Sequence, residues 1–280
     1  MLKKIYINNF RCFSNFELEI DSINLFLGPN GVGKSSIFYV LRKLRHFINA
    51  DEKIATLFSP QDLTHWDKSR KQAYEFEISG NGGTYKYELT IEHNKTGSPA
   101  RVNCERLWFD NKPLMNFEDG KAHIFGDDHS EGPTYPFDPF NSLISSLPPR
   151  HDNTRLTWFR ERMRRFIIVQ LNPMMMSGSS NQEESQIDAR AENFVSWYRH
   201  ISQNQGTTAD IASDLKELME GFRYFRFAKV GEEQHLLHLH FSKEKDGRDG
   251  IEYRFDRISD GQRAMIALYS IIHHAKYQDY

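Results

Sequence analysis

Residues 28–35, Gly28-Pro29-Asn30-Gly31-Val32-Gly33-Lys34-Ser35, decide the fold class of this chain. They fit the pattern G-x-x-x-x-G-K-[ST], and the setting matters as much as the match. Just before them, residues 23–27 (Ile-Asn-Leu-Phe-Leu) form a nearly continuous apolar run suited to a buried strand. From Lys34 onward Ile37, Val40, Leu41, Leu44 and Ile48 recur at helical spacing, with Arg42, Lys43 and Arg45 off that face. Strand, glycine loop and helix therefore form the opening unit. In such a loop the glycines let backbone N–H groups converge on phosphate oxygens, and the helix N-terminus adds positive potential. Lys34 would reach the β and γ phosphates, Ser35 would ligate Mg²⁺, and Gly28 to Ser36 as a whole would line the nucleotide. A glycine turn matching by chance is the bland alternative, and it leaves the flanking strand and helix unexplained.

The rest of the composition bounds the answer. With 280 residues the chain is long enough for one or two domains with a real core. Its 36 basic and 38 acidic side chains nearly cancel, which excludes a polyelectrolyte and a histone-like binder, so any nucleic-acid contact must be a local patch. No apolar run approaches the roughly 18 residues of a membrane span, and residues 1–10 lack the apolar stretch of a signal peptide. The two cysteines, Cys12 and Cys104, stand apart, as expected of core thiols in a reducing compartment. A cytoplasmic protein without a membrane partner is the expectation.

Around the opening unit, strands are predicted over residues 3–9, 16–20, 74–79, 84–92 and 101–109, with Asn81-Gly-Gly83 as a hairpin turn. Residues 110–149, rich in Asp, Gly, Pro and Ser, read as long surface connections. A helix over 153–165 leads into the apolar run 166–171, a candidate core strand, and then into the turn-rich, methionine-containing stretch 174–184. Helices over 189–202 and 208–220, strands over 222–230, 235–241 and 251–255, and a helix from Gly261 to about residue 276 complete the pattern. Three regions are expected: 1–92, the N-terminal half of a nucleotide-binding core; 93–221, an inserted loop-rich and helical lobe; and 222–280, the C-terminal part of the core.

A second motif, Ile258-Ser259-Asp260-Gly261-Gln262-Arg263, opens that last helix. Taken alone it is a good N-cap, with Ser259 or Asp260 accepting from early helix N–H groups. Beside a phosphate loop it is also a second phosphate-binding device, more than one subunit needs for one nucleotide.

Asn9-Phe-Arg11 followed by strands, then Gly28 to Ser36, then Ser259 to Gln262, together resemble the ATP-binding-cassette superfamily. Within it they are similar to the SMC/RecF/OLD branch of AAA-type ATPases. The resemblance covers about residues 1–48 and 222–276. It implies an α/β P-loop ATPase head with a mixed sheet, an antiparallel β subdomain and a helical insertion, and ATP with Mg²⁺ as cofactors. It further implies that Ser259, Asp260, Gly261 and Gln262 act in trans on nucleotide held at Lys34 and Ser35 of another copy, with Arg11 near the phosphates. The partners implied are a homodimer or higher homo-oligomer around an ATP sandwich, nucleic acid, and a nuclease or toxin effector subunit. ATPases of antiphage systems, such as the PtuA subunit of Septu systems and retron-associated ATPases, resemble this layout. Transporter cassettes place the two motifs closer together than Lys34 and Ser259, which makes a transporter subunit a weaker match. An isolated P-loop kinase would leave Ser259 to Gln262 without a role, and a non-turnover ATP-held scaffold is the alternative of a different class. The family's Walker B strand, D-loop and switch histidine should follow the last helix. The sequence stops at Tyr280 without them, so either a longer protein is truncated, the favoured expectation, or the chain binds ATP without completing a hydrolytic site; Asp279 lacks the apolar run a Walker B carboxylate needs.

Three weaker signals remain. Gln61 and Gln170 are both candidates for the glutamine that touches Mg²⁺, against the plain alternative of surface residues. Arg150, Arg155, Arg160, Arg162, Arg164 and Arg165, interleaved with Trp158 and Phe159, form either a nucleic-acid surface, with Arg160, Arg164 and Arg165 as the contacts, or a solvated basic helix. His238 and His240 fall on one strand face beside His235, and ordinary strand histidines are the expectation, with no metal.

Overall fold

Period-two alternation builds most of the first unit. The computed structural model describes residues 1–94, 99–242 and 250–278, and divides into two units, Met1–Phe166 and Ile167–Tyr280. In the first, β1 (Leu2–Asn8) lies between β2 (Phe16–Glu19) and β3 (Lys71–Gly80). The sheet then continues in chain order through β4 (Gly83–Glu92), β5 (Arg101–Phe109), β6 (Lys112–Glu118), β7 (Lys121–Phe125) and β8 (Glu131–Pro136). Every described pairing is antiparallel.

Tyr74, Phe76 and Ile78 of β3 and Tyr85, Tyr87 and Leu89 of β4 turn to the buried face. There they receive α4 (Thr154–Arg164), whose Phe159 stacks on Phe76 at 5.8 Å and Tyr87 at 5.7 Å, while Trp158 stacks on Tyr85 at 4.9 Å. The α1 helix (Lys34–Ile48) buries Ile37, Val40, Leu44 and Phe47, and the one-turn α2 (Ile54–Leu57) follows it.

Asn81 and Gly82, both at positive φ, close the β3–β4 hairpin as expected. The expectation of long connections over 110–149 is corrected. Asp110-Asn111 and Asp119-Gly120, also at positive φ, are the corners of two further tight hairpins that extend the sheet. The strands between these corners are short, so their turn chemistry dominates the composition and resembles a loop.

A second correction concerns residues 23–27. They form no strand, and Ile23, Leu25 and Leu27 are 90%, 79% and 80% exposed. A run apolar on both faces needs neighbours on both sides, and among the described residues no strand pairs with it, so the described sheets hold no parallel pair. The α/β class and the antiparallel β portion stand as read.

One buried acid staples this unit. Glu105 on β5 is fully buried and accepts from Tyr87 Oη at 2.9 Å, Ser142 Oγ at 2.7 Å and the backbone N–H of Leu143 at 2.6 Å. It thereby anchors the start of the short helix α3 (Leu143–Ser146) to the sheet.

The second unit packs α5 (Phe194–Ile201), α6 (Gln205–Leu218) and α7 (Asp260–Gln278) against the antiparallel strands β10 (Phe222–Val230), β11 (Gln234–Ser242) and β12 (Gly250–Arg254), with the two-residue β9 (Ser179–Ser180) on β11. Phe194, Trp197, Tyr198, Leu215, Leu237, Leu239, Phe255 and Ile266 form its core. Residues 166–171 are not the expected strand, because their backbone is tied to a loop: Gln170 N–H donates to Ala189 O at 2.6 Å and Asn172 N–H to Arg190 O at 3.1 Å. That loop also delays the helix expected from residue 189. Asp188 accepts from the N–H groups of Arg190, Glu192 and Asn193, which holds 188–193 in a turn until α5 starts at Phe194.

Candidate functional site

The loop 28–33 runs directly into α1, and its backbone explains its glycines. Gly31 and Gly33 adopt φ +87° and +98°. A Cβ on Gly33 would stand 2.7 Å from both Cys12 Sγ and the Phe13 ring, so any other residue would be strained at this positive φ and would force those side chains to shift. The backbone N–H groups of Gly31 to Ser35 find no acceptor among the described residues, while the next two, of Ser36 and Ile37, donate to Gly33 O at 2.9 and 3.3 Å. Unpaired amide donors at a helix start, with no acidic residue in the first turn, suit an oxyanion. The Lys34 ammonium lies over the loop and donates to the carbonyls of Gly28 and Pro29, each at 2.7 Å. Ser35 is exposed on the first turn, where its hydroxyl would be available to a cation.

Arg11 belongs to the same unit. Phe10 and Phe13 close a two-residue turn, with backbone bonds of 3.1 and 2.8 Å, that carries Arg11 and Cys12 at its tip, and Cys12 and Phe13 are the side chains packed on Gly33. A buried polar set fixes this turn. Asn9 accepts from Thr64 N–H at 3.0 Å and donates to Ser69 O and Lys71 O at 2.9 Å, and Gln72 donates to Asn9 O at 3.0 Å. Asp62 accepts from Arg11 Nε at 2.9 Å and from Lys43 Nζ at 2.6 Å. Burial holds the Tyr74 phenol below this pair well above its usual titration range, and the charge of Asp62 adds to the effect.

Of the two candidate glutamines, Gln61 lies exposed beside Asp62 in a 3₁₀ turn, Pro60–Asp62, within the unit that carries the loop. Gln170 is exposed in the second unit.

Three residues of this assembly escaped the sequence. Lys43 was placed on the solvent side of α1, yet it is buried; it follows Val40 by three residues and precedes Phe47 by four, which puts it inside the apolar stripe. Asp62 carries no motif, and Asn9 enters the sequence reading only as the first residue of Asn9-Phe-Arg11, with no role of its own. Their signal was position only, one beside Gln61 and the other two residues before Arg11.

At the second motif, Ser259 and Gln262 form a reciprocal capping box at the start of α7. Gln262 N–H donates to Ser259 Oγ at 3.3 Å, and Gln262 Oε1 accepts from Ser259 N–H at 3.1 Å and from its hydroxyl at 3.2 Å. Asp260 pairs with Arg263 and Gly261 is exposed with open space around it. Ser259, rather than Asp260, is thus the cap.

The basic helix α4 does not interleave aromatics with arginines on one face, since Trp158 and Phe159 pack on the sheet. Arg160 donates to Leu147 O at 2.7 Å, whereas Arg164 and Arg165 are exposed. His238 and His240 share an outward sheet face with Tyr224, Arg226 and Glu252: His240 stacks on Tyr224 at 4.6 Å, and Glu252 accepts from Arg226 Nε at 2.8 Å. Among the described residues no three potential metal ligands converge, and no helix is long and apolar enough to cross a membrane.

Residues 1–131 match the family model described as AAA ATPase domain. The match spans the phosphate loop, the Arg11 turn and Gln61, ends at the start of β8, and does not reach Ser259. Among solved structures the chain is similar to the SMC head domain from Thermotoga maritima, with 12% identity over 98% of this chain and 73% of that chain and a TM-score of 0.39. No curated protein matches.

Proposed function

We propose that the protein binds Mg-ATP at residues 28–36, dimerises around the nucleotide through Ser259 to Gln262 of a second copy, and uses this ATPase cycle to engage nucleic acid or an effector subunit. The observation that carries the reading is the row of unpaired N–H groups from Gly31 to Ser35 under a lysine, in a loop whose Gly33 packs closely on Cys12 and Phe13. Lys34 would pair with the β and γ phosphates, the amides with the β phosphate, and Arg11 with the phosphates from the neighbouring turn. ATP with Mg²⁺ would place the cation at Ser35, with Gln61 as the second protein contact in this unit. An antiphage role, shared with the systems this layout resembles, is the biological form of the proposal. Arg164 and Arg165 are its candidate nucleic-acid contacts, with Arg160 held to Leu147 beside them.

Lys34→Ala is expected to leave the fold intact and weaken ATP by roughly 30- to 100-fold, since the ammonium is an exposed, charge-assisted donor. Titration with a fluorescent ATP analogue measures it, and native affinity in a folded variant rules the loop out as the site.

The trans role of the second motif has its own test. Ser259→Arg breaks a cap worth about 1 kcal/mol. It should leave ATP binding to the monomer near native and block nucleotide-dependent association, because the bulky side chain would fill the sandwich. Sedimentation with a non-hydrolysable analogue reads this. Normal association leaves Ser259 as a cap alone.

A further inference from the structure

We propose that Asp62 is the positioning residue of Arg11, holding its guanidinium as a preformed fork for a nucleotide phosphate; the inference rests on the reading of residues 28–36 as the phosphate site. Asp62 grips Arg11 twice. Its backbone carbonyl takes the Arg11 N–H at 2.7 Å, and its carboxylate takes Nε at 2.9 Å. The residue so held has a φ of +51°, a conformation an arginine adopts only where its surroundings enforce it.

The charges are arranged with the same bias. Lys43 and Asp62 are inside, with side chains 6% and 11% exposed, and Arg11 is the outer member at 43%. Two cations on one carboxylate leave a surplus positive charge, and that surplus faces solvent on Arg11. The carboxylate alone would be satisfied by Lys43 at 2.6 Å, so neutralising the lysine does not require the arginine.

What Asp62 leaves free on Arg11 is the recognition edge. The bond is made through Nε, and among the described residues the two terminal nitrogens have no partner. The guanidinium carbon lies over the Tyr39 ring, 4.4 Å from its centre, which restricts swinging about the Nε anchor. A guanidinium pinned at Nε and packed against an aromatic ring presents its two terminal nitrogens as parallel N–H donors, the geometry that matches an oxyanion in bidentate fashion. The next residue, Cys12, touches Gly33, so the fork stands one residue from the phosphate loop.

The test is a double-mutant cycle read by titration of a fluorescent, non-hydrolysable ATP analogue, with melting followed in parallel. Asp62→Glu keeps the charge beside Lys43 but displaces the carboxylate by one methylene. Arg11→Ala and Asp62→Glu should each weaken the analogue by about tenfold, and the double variant by no more than Arg11→Ala alone. Losses that multiply, or native affinity in Asp62→Glu, overturn the proposal. If Asp62→Glu does not fold, Arg11→Lys decides: it leaves the Asp62–Lys43 pair intact and removes the fork, and should lose about tenfold, whereas native affinity in it overturns the proposal. Lys34→Ala in the same series separates the two readings, because its failure to weaken the analogue removes the phosphate site itself.

Discussion

Gly33→Val is expected to abolish ATP binding and to lower stability by about 4 kcal/mol, a double loss from one added side chain. Valine at a φ of +98° is a steric outlier, costing about 1–2 kcal/mol for the left-handed backbone. Its Cβ would stand 2.7 Å from Cys12 Sγ and the Phe13 ring, adding about 1–3 kcal/mol of overpacking. Relief would come from moving the turn that carries Arg11 or the loop that carries the amides, and either movement spreads the phosphate donors. Urea denaturation gives the stability loss and nucleotide titration the affinity. A valine variant with native midpoint and native affinity would refute the close packing of turn and loop.

Glu105→Ala should destabilise the first unit by about 3–5 kcal/mol, because it leaves a buried phenol, a hydroxyl and a helix-start N–H without their acceptor. The same acid gives stability a pH dependence. Burial pushes its carboxyl up to about 7, against the opposing pull of the bonds from Ser142, Leu143 and Tyr87. The folded state therefore holds a proton that the unfolded chain releases near its ordinary value of 4.5. The contribution is fully present below about pH 4.5 and is lost as pH rises through about 7, by an amount on the order of 3 kcal/mol. Denaturation midpoints at pH 5 and pH 8 should show this fall in the native protein. Glu105→Gln, which cannot titrate, should flatten it, and an equal slope in both would assign the pH dependence to other groups.

How legible each part was follows from the range of the forces that shape it. The loop at 28–35 and the start of α1 could be read directly, because glycine geometry and helical spacing are local. The hairpin at Asn81-Gly82 is legible for the same reason, and so is a cap at the start of α7, with Ser259 and Asp260 both open as the capping residue. The failures lie where the decision is made at a distance. Residues 23–27 have the composition of a buried strand, but burial requires neighbours that composition does not supply. Residues 166–171 are apolar enough for a strand, yet the turn built by Asp188 claims their hydrogen bonds. Lys43 looked like a surface charge because its partner, Asp62, lies on another element. Trp158 and Phe159 have the look of a stacking surface among arginines, yet Phe159 is buried against β3 and β4 and the half-buried Trp158 stacks on Tyr85.

Cys12 turns the packing of the Arg11 turn on Gly33 into an intrinsic chemical reporter. It is one of only two thiols in the chain and, against the expectation of a core thiol, is exposed, while Cys104 is buried and burial pushes its thiol up to about 11, which disfavours the thiolate at neutral pH. A maleimide or iodoacetamide dye will therefore label a single position, with its sulfur against the phosphate loop. Labelling kinetics in the presence and absence of nucleotide can follow the loop in the native sequence, without an introduced probe.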